Sequence, residues 1–259
     1  MKSPEKTAAL PETDEAVRFS NVSLHYKKAG GESLTGIDFT ALKGQTIGVI
    51  GGTGSGKSSI VRMIPRFYDA TSGEVRVNGV NVRDWREDEL REKFGFVLQK
   101  AVLFKGSIRE NLRWGKADAT DAELSEAIRL AQAEAVIAAK GGLDAEIAQN
   151  GRNLSGGQRQ RLTIARALVR KPEILILDDS ASALDQATDL NLRRAIAELD
   201  YRPTVFIVSQ RAASIRNADQ ILVLDDGRLV GCGDHGQLMQ SCPVYREIYE
   251  SQYGEEASA

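Results

Sequence analysis

The sequence predicts an α/β fold whose core is a mostly parallel sheet, with an antiparallel β-subdomain and an inserted α-helical lobe. Apolar strand segments alternate along most of the chain with segments of helical spacing, and this alternation favours parallel strands joined by helices. The first segment differs. Apolar and polar residues alternate from Val17 to Ala41, with turn signals at Lys28-Ala29-Gly30-Gly31, and this pattern predicts antiparallel strands. At 259 residues the chain is long enough to bury a substantial core, in one large domain or two lobes.

A glycine-rich loop follows the first strongly apolar strand, Thr46 to Ile50, and precedes a predicted helix, Ser59 to Phe67. The loop reads Gly51, Gly52, Thr53, Gly54, Ser55, Gly56, Lys57 and Ser58. Its amide groups and the helix start form a concave site for phosphate oxygens. The lysine supplies charge to the β- and γ-phosphates, and the serine hydroxyl is a ligand for Mg²⁺. This pattern is typical of the RecA-like core of P-loop NTPases, and alone it leaves kinase, GTPase, motor and transporter ATPase open.

The next segments predict a hairpin and a helical lobe. Asn78-Gly79 suits a type I′ turn between short strands. A helix from Asp88 to Lys93 and a strand from Phe94 to Leu98 follow. Thr120 with Glu123 forms a capping-box pattern at the start of a helix that is predicted to reach about Ala139, before the stop at Gly141-Gly142.

A second motif opens the next helix. The motif consists of Leu154, Ser155, Gly156, Gly157 and Gln158, and the helix continues from Arg159 to Leu168. Serine is a good N-cap, and two glycines at a helix start leave N–H groups accessible to an anion. An ordinary capped helix is the simpler alternative, which the neighbouring motifs make improbable.

Two carboxylates end the strand that follows. Ile174 to Leu177 is a buried apolar run, and Asp178 and Asp179 come directly after it. Ligands of parallel α/β sheets bind at the carboxyl ends of the strands, so Asp178 is predicted to hold Mg²⁺ through water. Asp179 is placed to polarise an attacking water. Two later apolar runs, Val205–Val208 and Ile221–Leu224, predict further strands, and Pro243 to Tyr253 predicts a closing helix.

With these motifs in this order, the chain resembles the nucleotide-binding domain of an ABC transporter from about Val17 to Tyr253, and Phe104 to Leu112 resembles the exporter branch. The resemblance implies that Tyr26 stacks on adenine, that Gln99 reaches the metal and the membrane domain, and that Asp185 crosses to a partner's site. It assigns ATP contacts to Tyr26, Gly51, Gly52, Thr53, Gly54, Ser55, Gly56, Lys57, Ser58, Ser59, Gln99, Leu154, Ser155, Gly156, Gly157, Gln158 and Asp185. It assigns Mg²⁺ to Ser58, Gln99 and Asp178.

The family geometry implies the partners. Two such domains pack head-to-tail, and each ATP lies between the phosphate loop of one and the signature motif (Leu154–Gln158) of the other. Transmembrane domains contact the region around Gln99 and the helical lobe, including residues 146–151, where the family often has a glutamate at the position of Gln149.

Two positions depart from the family pattern in the same ATP site. The family commonly has glutamate where Asp179 stands and histidine where Gln210 stands. The chain therefore resembles the degenerate-site subunit of a heterodimeric ABC exporter, whose partner chain carries the glutamate and the histidine. A catalytically competent homodimer, a non-transport ABC ATPase and an ATP sensor are the alternatives. The formal net charge of −2 and the lack of a basic stripe argue against a nucleic-acid partner.

The predicted organisation is a linker at residues 1–15, a RecA-like core with β-subdomain at 16–87 and 159–253, the helical lobe at 88–158, and a frayed tail at 254–259. No stretch approaches the roughly 18 apolar residues of a membrane span. An exporter needs membrane helices, so the chain is either a domain excised from a longer half-transporter or a subunit that docks on a separate membrane protein. The linker-like start favours excision, and we expect a domain at the cytoplasmic face of the membrane. Two cysteines, Cys232 and Cys242, form no disulfide framework.

Overall fold

The computed structural model describes residues 3–26 and 32–253; the predicted turn at 28–31 and the predicted tail at 254–259 lie outside them. The strands are β1 (Glu15–His25), β2 (Glu32–Leu42), β3 (Thr46–Gly51), β4 (Ser72–Val77), β5 (Val80–Asn81), β6 (Phe94–Val97), β7 (Gly106–Ser107), β8 (Glu146–Ile147), β9 (Ile174–Asp178), β10 (Thr204–Val208), β11 (Gln220–Asp225) and β12 (Arg228–Gly233). The helices are α1 (Lys57–Met63), α2 (Glu87–Glu92), α3 (Ile108–Arg113), α4 (Asp121–Leu130), α5 (Glu134–Lys140), α6 (Gly156–Leu168), α7 (Gln186–Ala197), α8 (Ala212–Ile215), α9 (His235–Ser241) and α10 (Pro243–Tyr253).

The chain divides into two units, and the first comprises residues 1–93 and 204–259. Its antiparallel sheet has the order β2-β1-β4-β5, which confirms the antiparallel strands predicted for the first segment. Its other strands have the order β12-β11-β3-β10, and β3 runs parallel to both of its neighbours. Phe39 stacks on Phe19 at 4.6 Å between ring centroids and meets Phe206 edge-on at 6.4 Å, so the two sheets share apolar contacts.

The hairpin between β4 and β5 has the predicted turn. Asn78 and Gly79 both have positive φ, 49° and 78°, as a type I′ turn requires. Val77 pairs with Val80 across it.

The second unit comprises residues 94–203. Its β6 pairs in parallel with the fully buried β9, from Phe94 opposite Ile174 to Val97 opposite Leu177. Both strands were predicted, each to within one residue at its carboxyl end. Because paired parallel strands end at the same edge, the residues that follow β6 and β9 lie close together.

The single helix predicted from Thr120 to Ala139 is wrong: the structure has two helices, α4 and α5. Gln132 adopts φ 56° between them. The amide of Ala133 bonds the carbonyl of Ile128, and that of Gln132 bonds Arg129, which together form a Schellman motif. The motif normally uses glycine, so a glutamine there gave no stop signal. The predicted capping box at Thr120 and the stop at Gly141 (φ 90°) are confirmed.

We expect Thr120→Ala to lower the free energy of unfolding by about 1 kcal/mol, because the N-cap hydroxyl accepts from the Glu123 amide. Urea unfolding followed by circular dichroism measures the change. Thr120→Ser keeps the hydroxyl and should retain most of the stability. Equal losses in both variants would assign the effect to the methyl group instead.

Candidate functional site

The glycine-rich loop joins β3 to α1, as predicted, although α1 begins at Lys57 and ends at Met63, earlier than expected at both ends. Gly51 has no room for a side chain, because a Cβ would lie 2.1 Å from the carbonyl oxygen of Leu224. Gly56 precedes α1 with φ 98°, which favours glycine. At Gly52 and Gly54 a Cβ would meet no atom within 4 Å. The loop is therefore tight on its protein side and open on the other, as an anion site requires.

Lys57 lies against this loop. Its side chain is 9% exposed, and Nζ donates to the carbonyl oxygens of Gly51 (2.8 Å) and Gly52 (2.6 Å). Thr53 is exposed, whereas Ser55 is 4% exposed and its buried hydroxyl finds no hydrogen-bond partner among the described residues. The ammonium group is thus held at the loop, where it can neutralise phosphate oxygens.

Tyr26 is brought to the same helix start. It directly follows β1, and its hydroxyl donates to Ser59 Oγ at 3.1 Å, next to Ser58 at the first turn of α1. Tyr68 meets Tyr26 edge-on, with ring centroids 4.9 Å apart. Sequence reasoning missed Tyr68, because no periodicity or motif singles it out. The two rings provide an aromatic platform beside the phosphate loop.

Gln210 completes the predicted residues of the first unit. It comes two residues after β10, next to the buried Ser209, and its own side chain is exposed. A polar side chain at the carboxyl end of a strand parallel to β3 is in the position expected for a ligand contact.

The two predicted site carboxylates, Asp178 and Asp179, lie at the carboxyl end of β9. Asp178 is its last residue and is fully buried, and Asp179 turns the chain with φ 49°. Gln99, just beyond β6, donates from Nε2 to Asp179 Oδ2 at 2.9 Å. The parallel pairing of β6 and β9 brings these two predicted residues together across 80 positions of sequence.

The signature motif has the predicted N-cap, and a second, reciprocal hydrogen bond supports it. Ser155 Oγ accepts from the Gln158 amide at 3.2 Å, and Gln158 Oε1 accepts from the Ser155 amide at 2.9 Å. This is a capping box, which the spacing of serine and glutamine could have predicted. Leu154 is buried, Gly156 is exposed with open space where a Cβ would stand, and a Cβ at Gly157 would lie 3.0 Å from the Ala183 carbonyl. The helix start therefore presents its amides outward.

Asp185 has a local role in the structure. It caps α7, with Oδ1 accepting from the Thr188 amide (2.9 Å) and Oδ2 from the Thr188 hydroxyl (2.7 Å). These bonds hold the pKa of the Asp185 carboxyl below its ordinary value. A negative charge at the start of α7 also suits the helix dipole.

The predicted metal ligands are all oxygen donors, the chemistry that Mg²⁺ prefers. Within the described residues, no three His, Cys, Asp or Glu side chains form a metal cluster. Mg²⁺ at phosphates needs only one or two protein ligands, the rest being phosphate oxygens and water. The Ser58 hydroxyl, the Asp178 carboxylate and the Gln99 amide are hard oxygen donors of that kind. In the same parts of the chain no helix is both long and apolar enough to cross a bilayer.

The family profile described as "ABC transporter" matches residues 34–182. The uncharacterized ABC transporter ATP-binding protein YfiB of Bacillus subtilis (strain 168) is 43% identical over 243 residues, which cover 93% of this chain and 42% of that protein. The ATP-dependent lipid A-core flippase of Vibrio vulnificus (strain YJ016) is 38% identical over 257 residues, covering 97% and 44%.

A solved structure described as a bacterial Atm1-family ABC exporter with ATP bound matches with a TM-score of 0.91 and 34% identity, over 97% of this chain and 44% of that one. The chain thus spans less than half the length of these relatives.

Proposed function

The chain belongs to the ABC transporter family, and we propose that it is the degenerate-site subunit of a heterodimeric exporter. It is an ABC ATPase domain with the P-loop NTPase fold, of the exporter type. ATP brings it head-to-tail against a second ABC domain at the cytoplasmic face of the membrane, and hydrolysis separates the two. This cycle drives export through transmembrane domains.

Within the chain, altered hydrolytic positions stand beside an intact signature motif. Asp179 and Gln210, both at strand ends where hydrolytic groups belong, depart from the family's glutamate and histidine, whereas the signature motif is complete and capped. The chain's own site binds Mg-ATP through the phosphate loop and Lys57 but hydrolyses it slowly. Its signature completes the site of a partner chain that has the glutamate and the histidine. The test is to compare the ATP turnover of the wild-type chain with that of a variant carrying Asp179→Glu and Gln210→His.

Each residue has a defined task in that scheme. When bound, Mg²⁺ would supply positive charge that neutralises phosphate oxygens. Ser58, Asp178 and Gln99 offer it oxygen ligands, and Tyr26 stacks on the adenine. Asp179 orients the attacking water, while Gln210 contributes a hydrogen bond but no positive charge to the γ-phosphate. Asp185 caps α7 in its own subunit, and its loop faces the partner's site.

We propose that the transmembrane domains dock on an apolar groove in the second unit, next to Gln99. The groove encloses about 380 Å³ and exposes Leu98, Val102, Phe104 and Trp114. The Phe104 and Trp114 rings stack at 4.8 Å, yet Trp114 is 67% exposed. A cluster of large exposed apolar side chains is costly in water and marks an interaction surface.

We expect the docked groove to shield Trp114 from an aqueous quencher. The chain has two tryptophans, and the other, Trp85, is 2% exposed. Iodide should quench Trp114 in the isolated chain, and Trp114→Phe should remove nearly all of the quenchable fluorescence. When the chain is assembled with the transmembrane domains, the difference between wild type and Trp114→Phe should lose its sensitivity to iodide. A Trp114 signal that remains quenchable would place the docking surface elsewhere.

A further inference from the structure

The backbone around Gln210 is held by a local bond, from the Arg211 amide to Ser209 Oγ at 2.9 Å, and by contacts from outside its own segment. The Ser209 amide donates to the Val49 carbonyl at 3.1 Å, which ties the end of β10 to β3. Helix α8 then begins at Ala212, and Arg211 at its N-cap supplies no side-chain acceptor. The first amides of a helix have no partner within it, so that of Ala212 needs an acceptor from elsewhere.

Gln252, near the end of α10, supplies that acceptor. Its Oε1 accepts from the Ala212 amide at 2.8 Å, across 40 residues of sequence. Its Nε2 donates to the Gln210 carbonyl at 2.7 Å. One side-chain amide therefore bonds the backbone on both sides of Arg211. An amide can do both, whereas a carboxylate accepts but does not donate.

The helix that carries Gln252 is anchored at its other end. Tyr245 of α10 is fully buried, and its hydroxyl lies 2.9 Å from His235 Nδ1 of α9. Tyr249 packs against His235 at 4.9 Å and stacks on Tyr253 at 4.6 Å. Gln252 is thus presented by a fixed helix, although its own side chain is exposed.

We infer that Gln252 is a positioning residue for the ATP site: it fixes the backbone of position 210, so that the side chain there meets the γ-phosphate. The inference rests on the proposed role of position 210. It uses only backbone groups of that residue, so it holds equally for glutamine and histidine there. It links the rate of hydrolysis to the C-terminal helix, which carries none of the predicted site residues.

The test measures ATP turnover for Gln252→Leu in two backgrounds, wild type and Asp179→Glu with Gln210→His. We expect kcat to fall on the order of tenfold with an unchanged KM for ATP, because misplacement of a reacting group costs rate rather than binding. Gln252→Glu keeps the acceptor and loses the donor, so it should protect the Ala212 amide from hydrogen exchange and still lower kcat. Glu250→Leu replaces an exposed residue of the same helix and is the matched control. It should alter neither kcat nor the exchange rate of the Ala212 amide.

The outcomes separate the two proposals. A restored background without increased turnover contradicts the degenerate site, and the ratio of Gln252→Leu to its parent is then read in the wild-type background. An unchanged kcat in Gln252→Leu, an unchanged exchange rate at the Ala212 amide, or an equal loss in Glu250→Leu would each overturn the positioning role.

Discussion

Replacing Asp179 by glutamate and Gln210 by histidine is expected to raise ATP turnover by on the order of 10²-fold. An aspartate carboxylate lies one methylene further back than that of glutamate, about 1 Å, and a misplacement of this size costs about 10²-fold in rate. Histidine adds a group that can carry charge near the γ-phosphate, where electrostatic stabilisation is the largest contribution to phosphoryl transfer. Steady-state ATPase assays on the purified chain, at several protein concentrations, measure the gain.

Two controls separate chemistry from folding and binding. Lys57→Ala in the restored chain should abolish the gain, because it removes the ammonium group held at the phosphate loop. Asp179 has φ 49°, a conformation that aspartate tolerates better than glutamate, so thermal unfolding of each single variant is measured beside its rate. Wild-type turnover that is already brisk and rises steeply with protein concentration would contradict the prediction. Asp179 and Gln210 would then be adequate catalysts in a homodimer.

The sequence predicts most of the strands because buried parallel strands are nearly continuous in apolar residues. The runs before Asp178 and before the phosphate loop are examples, and both strands form where expected. The break at Gln132 could not be predicted, because the positive φ occurs at a glutamine and not at the glycine that normally marks such a helix end. Local signals therefore fix the type of each element better than its limits.

The candidate site was likewise predictable only in part. Motifs identified the phosphate loop and the signature, because those functions need glycine, lysine and serine at fixed spacing. The contact between Gln99 and Asp179 depends on the pairing of strands far apart in sequence, and the two bonds from Gln252 depend on where the last helix packs. Neither leaves a pattern within a window of sequence. Tertiary contacts of this kind emerge only from the fold.

Gly156→Asp is expected to lower turnover at the opposing site on the order of 10²–10³-fold while leaving the fold and the chain's own ATP binding intact. The backbone amide of residue 156 stays, but a carboxylate beside it repels the phosphates and keeps them from the amides of the helix start. Losing one stabilising donor to a reacting anion has a cost of that size. Folding should not suffer, because the site has open space for a side chain and an acidic residue suits the first turn of a helix. Gly156→Ala, which adds a methyl group without charge, is the matched control and should lose far less.

Mixing two inactive versions of the chain shows which site the signature serves. One version carries Asp179→Glu, Gln210→His and Gly156→Asp, so it has a restored site and a disabled signature. The other carries only Lys57→Ala, so it has an intact signature and a disabled phosphate loop. In a head-to-tail dimer each surface meets the complementary surface of the other copy. Only the mixed dimer then combines a restored site with an intact signature, and the mixture should hydrolyse ATP although neither version does alone. A mixture that stays inactive, while the restored chain with glycine at 156 is active, would mean that the signature acts on the ATP of its own chain.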